Sequence, residues 1–409
     1  MSQLSQTTKS GGARLRLRLA PSAEMAVRSG HPWVYAERIR EISRAGISGE
    51  IAIVYDRKDR FMAFGLFDPD SPIRLRILHS GPPMVADEAW WQSRMTSAVE
   101  KRTPWFQQGT DGYRLVNGES DGWPALILDR YGSTLVLKLY SAVWLPRMAD
   151  LQRWIVSAVT VERIVLRLSR NVQDVFERAG YRDGQNLVGI ATSEGVIFQE
   201  DGLLFWSDVV KGQKTGFFLD QRENRRRIGA LSVGAEVLNA FSFSGGFSLH
   251  AARGGAVAVT DLDCSPHALE AARRNFQLNH DNSTLASARH QSVQADAFDW
   301  LENGPGQFDV VICDPPSLAR REHERAGAID AYRRLATSSA GKVRSGGLLL
   351  TASCSAHVLA EEFHAAVTEG LRRTGRRYEE LEQVGHALDH PTTFAEARYL
   401  KAVYLRMLD

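Results

Sequence analysis

The strongest constraint on the fold lies in the second half of the chain. From about residue 206 onward, short apolar runs alternate with stretches of helical periodicity. The runs are "AEVLNAF", "GAVAVTDLD", "ASARHQSVQAD", "FDVVICD" and "GGLLLTASC"; between them lie segments such as "HALEAARRNFQLNH" and "AIDAYRRLATSSAGKV". Alternation of this kind predicts an α/β domain with a parallel, doubly wound sheet. Ligands of such sheets sit outside the carboxyl ends of the strands, near the point where strand order reverses. The residues just after each strand are therefore the ones to examine.

The first strand is followed by "NAFSFSGGFS". Gly245 and Gly246 permit a tight turn and a close backbone approach to a ligand, although a glycine pair after a strand is more often structural. The motif is not GxGxxG, so no dinucleotide fingerprint is present. After the second strand stands Asp263, placed to accept hydrogen bonds from both hydroxyls of a ribose. It could equally cap the next helix, a role Ser265 could also take. After the third strand, Asp296 could accept from an adenine amino group, or act as a cap. After the fourth, Asp314-Pro315-Pro316 makes a rigid turn that can present a carboxylate and a carbonyl to a planar amide-like group. After the fifth, in "TASCSAH", stands Cys354, which alone reads more readily as core than as nucleophile. In this strand order the set points to a methyltransferase domain that uses S-adenosylmethionine. Such a sheet should close with an antiparallel hairpin, and "YEELEQVGH" with "RYLKAVYLRM" supply it.

The chain is 409 residues long, more than one core organises. Residues 1–12 are expected to be a disordered lead. Residues 13–80 hold short alternating runs, "RLRLRL", "GEIAIVYD", "FMAFGLFD" and "IRLRIL", and are expected to form a small β domain. Residues 81–108 are expected to hold a connecting helix ending near Pro104. Residues 109–205 mix strands ("PALILDRYG", "STLVLKLYS", "RIVLRLS", "VIFQEDGLLFW") with a helix around 145–160, and are expected to form a middle α+β domain. Residues 206–409 form the last domain.

The net charge of +2 does not by itself imply a nucleic-acid partner. Its distribution does more. Arg14, Arg16 and Arg18 alternate with leucines and share one strand face, Arg74 and Arg76 repeat the pattern, and Arg222, Arg225, Arg226 and Arg227 cluster. Several such clusters on one molecule favour a phosphate-rich partner. No apolar run approaches the ~20 residues of a membrane span, and the start of the chain has no apolar signal region. The three cysteines, Cys264, Cys313 and Cys354, match neither a zinc pattern nor a disulfide framework. No metal and no membrane partner are expected, and a reducing cytoplasm is the expected setting.

Two longer stretches, "YRLVNGESDGWPALILDRYG" (113–132) and "GQKTGFFLDQRENRR" (212–226), resemble the signatures of the RlmI-type 23S ribosomal RNA cytosine carbon-5 methyltransferases. "HPWVY", "FSFSGGFS", "CDPPS", "SCS" and "DHPTTFAEARYLK" continue the resemblance in order, over nearly the whole chain after the lead. It implies a PUA-like RNA-binding domain, a middle strand–strand–helix–strand–strand domain and a Rossmann-like methyltransferase domain. It implies S-adenosylmethionine as cofactor, large-subunit ribosomal RNA as substrate, and is compatible with a homodimer. By the same resemblance Lys214, Thr215, Gly216, Phe218, Asp220 and Arg222 line the cofactor pocket, with Phe241, Ser244, Gly245, Gly246, Asp263, Asp296 and Asp314. An ordinary helix start capped by Asp220 is the competing reading of that first segment. Cys354 matches the nucleophile and Asp314 the carboxylate of the methylation motif. Pro315, Pro316 and Ser317 would meet the base, and Arg14, Arg16 and Arg18 the RNA. Where the family often has Lys after the prolines, and other RNA cytosine methyltransferases a second Cys, this chain has Ser317. Cys313 and Cys264 are expected to be structural.

The chemistry fits a thiol. Carbon 5 of cytosine is a poor nucleophile, and a thiolate adding to carbon 6 makes it enamine-like. Methylation of an exocyclic nitrogen needs no thiol and commonly places an aromatic residue after the prolines, which Ser317 is not. Methylation of another atom or RNA class, and a non-catalytic RNA-binding assembly factor, are the alternatives.

Overall fold

A computed structural model describes residues 14–106, 109–191 and 195–409. The expected disordered lead lies outside the described residues, as do 107 and 108 of the connecting segment. The N-terminal part is a six-stranded sheet in the order Trp33–Tyr35, Ile73–Ser80, Phe61–Phe67, Ile51–Tyr55, Leu15–Leu19, Ile39–Ile42. Period-two alternation sets its faces: Leu15, Leu17 and Leu19 are buried, while Arg16 and Arg18 point outward. A helix at Pro21–Arg28 interrupts the strands. Its proline sits in the first turn, where no amide hydrogen is needed, and only Ala23 and Val27 are buried.

The connecting helix runs from Glu88 to Glu100, capped by the Asp87 side chain, which accepts from the Trp90 amide. It ends before Pro104, which lies in a separate 3₁₀ turn, Thr103–Trp105. Trp91 on this helix stacks on Trp154 at 5.0 Å and touches Trp123 and Trp144. These indoles share one core with Phe64, Leu66 and Leu78 of the first sheet.

The middle sheet has five strands, ordered Asn186–Val188, Arg163–Leu168, Thr134–Leu139, Leu126–Tyr131, Gly112–Asn117. Three strands precede the helix Met148–Ala158 and two follow it. "VIFQE" and "LLFWS" do not join this sheet; they pair with each other as a two-stranded hairpin. Their inward aromatics, Phe198 and Phe205, lie 5.1 Å from Phe217 and belong to the core of the C-terminal domain.

The C-terminal sheet has seven strands, numbered here on their own. Helix α1 (Arg222–Leu231) leads into β1 (Glu236–Ala240), α2 (Gly246–Arg253), β2 (Ala258–Asp263), α3 (Pro266–Leu278), α4 (Ser283–Ser287) and β3 (Arg289–Gln294). Then come α5 (Ala297–Asn303), β4 (Phe308–Cys313), α6 (Arg325–Gly341), β5 (Val343–Ser353), α7 (Ala360–Thr374), β6 (Tyr378–Val384) and β7 (Lys401–Met407). The spatial order is β3-β2-β1-β4-β5-β7-β6. The first five strands are parallel, and β7 runs antiparallel to both β5 and β6. Strand order therefore reverses between β1 and β4, and the crevice predicted by topology lies beyond their carboxyl ends. Among the described residues, no helix is long and apolar enough to cross a membrane.

Candidate active site at the strand ends

Asp314 and Cys354 follow β4 and β5, which are adjacent and in register with Cys313 opposite Thr351. The Cys354 Sγ lies 4.0 Å from the Pro315 carbonyl oxygen. Cys313 ends β4 fully buried in the core between sheet and helices, and burial pushes its thiol up to about 12. Cys264, expected to be structural, is instead exposed, because it occupies the turn just before the Ser265 cap of α3.

One hydroxyl ties the two strand-end loops together. Ser355 Oγ accepts from the amides of Leu318 (3.0 Å) and Ala319 (3.2 Å) and lies 2.8 Å from the Tyr332 hydroxyl. Ser353 in turn donates to that tyrosine at 2.8 Å. Ser317 Oγ reaches Ser355 Oγ at 3.4 Å, so the residue that replaces the family's lysine helps close the same link. On the other side of the crevice Gln221 donates to Asp314 Oδ2 at 2.9 Å. Asn224 holds Gln221, and Tyr404 holds Asn224.

The electrostatics follow from burial. Asp314 is pushed up to about 7, first by burial and then by the nearby Asp220 charge. Cys354 is pushed up to about 11 by burial, while Lys214 pulls it down against Asp314 and Asp220. Burial alone would depress the Lys214 ammonium, but Asp220 and Cys354 outweigh it and raise its pKa. Lys214 Nζ lies 2.6 Å from Asp220 Oδ2 and 4.4 Å from the Phe218 ring centre. Tyr399 donates to the same Asp220 oxygen at 2.8 Å. Burial disfavours charge on Asp220, yet Lys214 and His390 hold its carboxyl well below the usual range.

Two members of the "KTGFFLDQR" segment are committed to the scaffold rather than open to a ligand. Arg222 bonds Asp389 through both terminal nitrogens, at 3.1 and 2.7 Å, with its side chain 3% exposed. The resemblance implied that it lines the cofactor pocket; its guanidinium is instead committed to Asp389. Thr215 Oγ1 donates to buried Asp129 at 2.6 Å and meets the Tyr131 hydroxyl, so it ties this segment to the middle sheet. Gly216 has φ +133°, and a Cβ there would meet Ser207 Oγ at 2.2 Å. Asp220 makes no helix-capping bond, since the α1 entry has none from a side chain.

The loop after β1 carries unusual backbone. Phe241 and Phe243 have φ of 61° and 48°. Left-handed conformations cost non-glycine residues ~1–3 kcal/mol each and persist where surroundings enforce them. Here Asp263 does so: its Oδ2 accepts from the Phe243 amide at 2.9 Å, and its Oδ1 from Ser265 at 2.8 Å. Ser265, not Asp263, caps α3. Asp296 does act as a cap, accepting from Phe298 and Asp299 through Oδ1. The glycine pair serves packing. A Cβ on Gly245 would lie 2.9 Å from Ala272 Cβ, and one on Gly246 2.9 Å from Arg225 Cδ, so the space belongs to the protein itself.

The donor set fits S-adenosylmethionine. Among the described residues, Asp220 Oδ1, Ser242 Oγ and Ser244 Oγ are buried without a hydrogen-bond partner. They supply an anionic acceptor suited to an ammonium and two hydroxyls, beside Asp263 for a ribose. A cavity of ≈ 290 Å³ lined by Glu236, Ala258, Arg289 and Phe308 opens instead at the amino ends of the strands and takes no part in this site.

The arginine clusters divide. Arg16 and Arg18 lie on the first strand of the N-terminal sheet and Arg14 just before it; Arg18 pairs with Asp59 (2.5 Å) and Glu41, and Arg16 with Asp59 over the Tyr55 ring. Arg76 is buried against Glu119, and Arg225 against Glu200. Helical spacing leaves only Arg226 and Arg227 of the last cluster's helix outward. Sequence reasoning missed Gln221, Tyr332, Asp389, Tyr399 and Lys401; the only signal for most of them was their place inside the stretches of family resemblance.

Residues 173–403 match the family model of S-adenosylmethionine-dependent methyltransferases, and residues 17–80 that of PUA-like domains. The chain is 53% identical to a ribosomal RNA large subunit methyltransferase of Deinococcus radiodurans, covering 97% of this chain and 98% of that one. It is 31% identical to a ribosomal RNA large subunit methyltransferase I of Aeromonas salmonicida, covering 95% and 98%. In structure it resembles a SAM-dependent methyltransferase from Streptococcus mutans, with a TM-score of 0.78 at 21% identity over 96% of this chain and 100% of that one. A methyltransferase solved with SAH gives 0.80 at the same identity and coverage.

Proposed function

Because the chain belongs to the RlmI-type family of S-adenosylmethionine-dependent ribosomal RNA methyltransferases, we propose that it makes 5-methylcytosine in 23S ribosomal RNA through a Cys354 adduct. The observation that carries this reading is the Cys354 thiol 4.0 Å from the Pro315 carbonyl, beside an Asp314 whose pKa is raised to about 7. Cys354, as thiolate, adds to carbon 6; the ring π electrons move toward carbon 5. Asp314, protonated, donates to ring nitrogen 3 as charge develops there. The Pro315 carbonyl accepts from the exocyclic amine. Bound S-adenosylmethionine supplies an electrophilic methyl to carbon 5. Asp314 takes back the nitrogen 3 proton as carbon 5 forms its new bond; loss of the carbon 5 proton to water then reforms the double bond and expels the Cys354 thiolate.

In this reading Asp263 holds the cofactor's ribose hydroxyls and Asp220 Oδ1 its ammonium. Asp296 and Phe241 border the adenine, and Ser244 adds a hydroxyl. The PUA-like domain meets phosphates through the face of Arg14, Arg16 and Arg18. The target base must leave its stack, which suits a loop or unfolded precursor RNA in the cytoplasm.

The test is methyl transfer to ribosomal RNA by Cys354→Ala, together with trapping on RNA containing 5-fluorocytosine. The expected results are loss of transfer in the variant and a covalent complex with the wild type. Retained transfer by the variant would sink the thiol mechanism. Absence of S-adenosylmethionine binding by calorimetry would favour a non-catalytic factor. Mass-spectrometric mapping of ribosomal RNA from a strain lacking the protein identifies the nucleotide.

A further inference from the structure

Lys401 opens β7 and stands opposite Ser353 on β5. Its residue is 4% exposed. The three donors of its ammonium are used by three backbone carbonyls, of Ser355 (2.5 Å), Val358 (2.6 Å) and Tyr399 (3.1 Å). Two of these lie in the turn that follows β5 and carries Cys354. Among the described residues no carboxylate forms an ion pair with it; Glu362, the nearest acid to act on it, is paired with Arg325. A buried cation without a counter-ion is costly, and burial lowers this ammonium to about 8.

An ammonium brings three donors to these three carbonyls, where a neutral amide brings two. The group that most favours the charged form of Lys401 is Cys354, and Lys401 in turn lowers the Cys354 thiol. The other groups acting on Cys354 are Lys214, Asp314 and Asp220. Those acting on Lys401 are Glu362, and it also faces His364 and His386. Lys214 is already neutralised by Asp220 at 2.6 Å. Of the two ammoniums that lower the Cys354 thiol, Lys214 acts more strongly and is paired with Asp220, while Lys401 acts less strongly and is spent on backbone carbonyls.

We propose that Lys401 is a positioning residue for Cys354: its ammonium, held by the Ser355, Val358 and Tyr399 carbonyls, pins the turn that carries the thiol. This rests on Cys354 being the nucleophile, and the Cys354→Ala assay tests that separately.

The test follows iodoacetamide alkylation of the full chain against pH, with Cys354 and Cys264 peptides quantified apart by mass spectrometry. Lys401→Gln keeps at most two of the three donors and Lys401→Met none, while Lys401→Arg keeps enough for all three carbonyls. A turn released from its carbonyls changes the burial and approach of the thiol, so Cys354 alkylation at pH 8 should change about threefold or more in the Gln and Met variants, most in Met. Exposed Cys264 should react as before, and the Arg variant should stay within about threefold of wild type. Methyl transfer by Lys401→Gln should show a fall in kcat with KM for S-adenosylmethionine unchanged. If the Met variant fails to fold by circular dichroism, the Gln and Arg pair decides alone. An unchanged Cys354 pH profile in folded Lys401→Gln would overturn the proposal, whatever Cys354→Ala does.

Discussion

Arg222 and Asp389 form a two-bonded ion pair, at 3.1 and 2.7 Å, between side chains 3% and 0% exposed. It clamps the start of α1 to the loop between β6 and β7. Asp389 also accepts from the Arg114 amide of the middle sheet, and its carbonyl accepts from Arg102 beyond the connecting helix. The same loop carries Tyr399 to Asp220 and Lys401 to the Cys354 turn. One carboxylate thus gathers three parts of the chain behind the site.

Asp389→Ala should therefore be among the most damaging single changes. It leaves both terminal nitrogens of the buried Arg222 guanidinium without their carboxylate, with Glu223 only on Nε at 3.4 Å, a loss of about 3–5 kcal/mol. Urea unfolding should show a midpoint shift of that size. Calorimetry should show weaker S-adenosylmethionine binding, because Tyr399 no longer braces Asp220.

Acid stability should report on a second buried cluster. Glu200 accepts from Arg225 at 2.6 and 2.5 Å and meets His250 at 3.0 Å. Burial would raise its carboxyl, but Arg225 and His250 prevail and hold it at about 2. An unfolded glutamate titrates near about 4.3. The folded value is the lower one, so the contribution is complete above about 4.3 and drains away as pH falls toward about 2. Wild-type urea midpoints should fall across that window. Glu200→Gln should be less stable at pH 6, with a difference from wild type that shrinks toward pH 2.

The succession of strands and helices in the C-terminal domain, with Asp314 and Cys354 each just after a strand, is legible because periodicity is a local property. Partnership is not. Arg222 stands in the segment that by resemblance lines the cofactor pocket; the carboxylate it serves arrives from Asp389, far along the chain. Ser355 read as one small polar residue in "TASCSAH", yet it receives two amides from the Asp-Pro-Pro turn. In sequence Lys401 is simply part of a closing hairpin strand, and only the folded turn gives it three carbonyls. The Gly-Gly pair by itself reads as more often structural and only the resemblance sets it at the cofactor; the atoms crowding it are Ala272 and Arg225.

That crowding makes a paired prediction. Gly245 has φ +72°, and an added Cβ would lie 2.9 Å from Ala272 Cβ and 3.1 Å from Asp261 Oδ2. Gly245→Ala should lose roughly 1–3 kcal/mol through overpacking, with the left-handed conformation adding to it. Gly327, in the first turn of α6, has nothing within 4 Å of such a Cβ. Gly327→Ala should gain about 0.5–1 kcal/mol. Differential scanning calorimetry should move the two melting temperatures in opposite directions.

The last prediction separates thiol reactivity from turnover. Asp314 and Cys354 compete for one negative charge: the carboxyl titrates near about 7, and its charge helps push the thiol up to about 11. The pair behaves as a coupled system. Between those values it holds a single proton, and the form with thiolate and protonated Asp314 is a constant fraction of it. Methyl transfer should rise with pH through about 7 and then stay level. Asp314→Asn removes the charge that raises the thiol. Cys354 alkylation at pH 8 should therefore quicken. Methyl transfer should nevertheless fall, by about 10²–10⁴-fold, because no acid remains for ring nitrogen 3. The limb near pH 7 should vanish with it. Faster alkylation with undiminished transfer would assign Asp314 to electrostatics alone, and slower alkylation would reverse the sign of its coupling to the thiol.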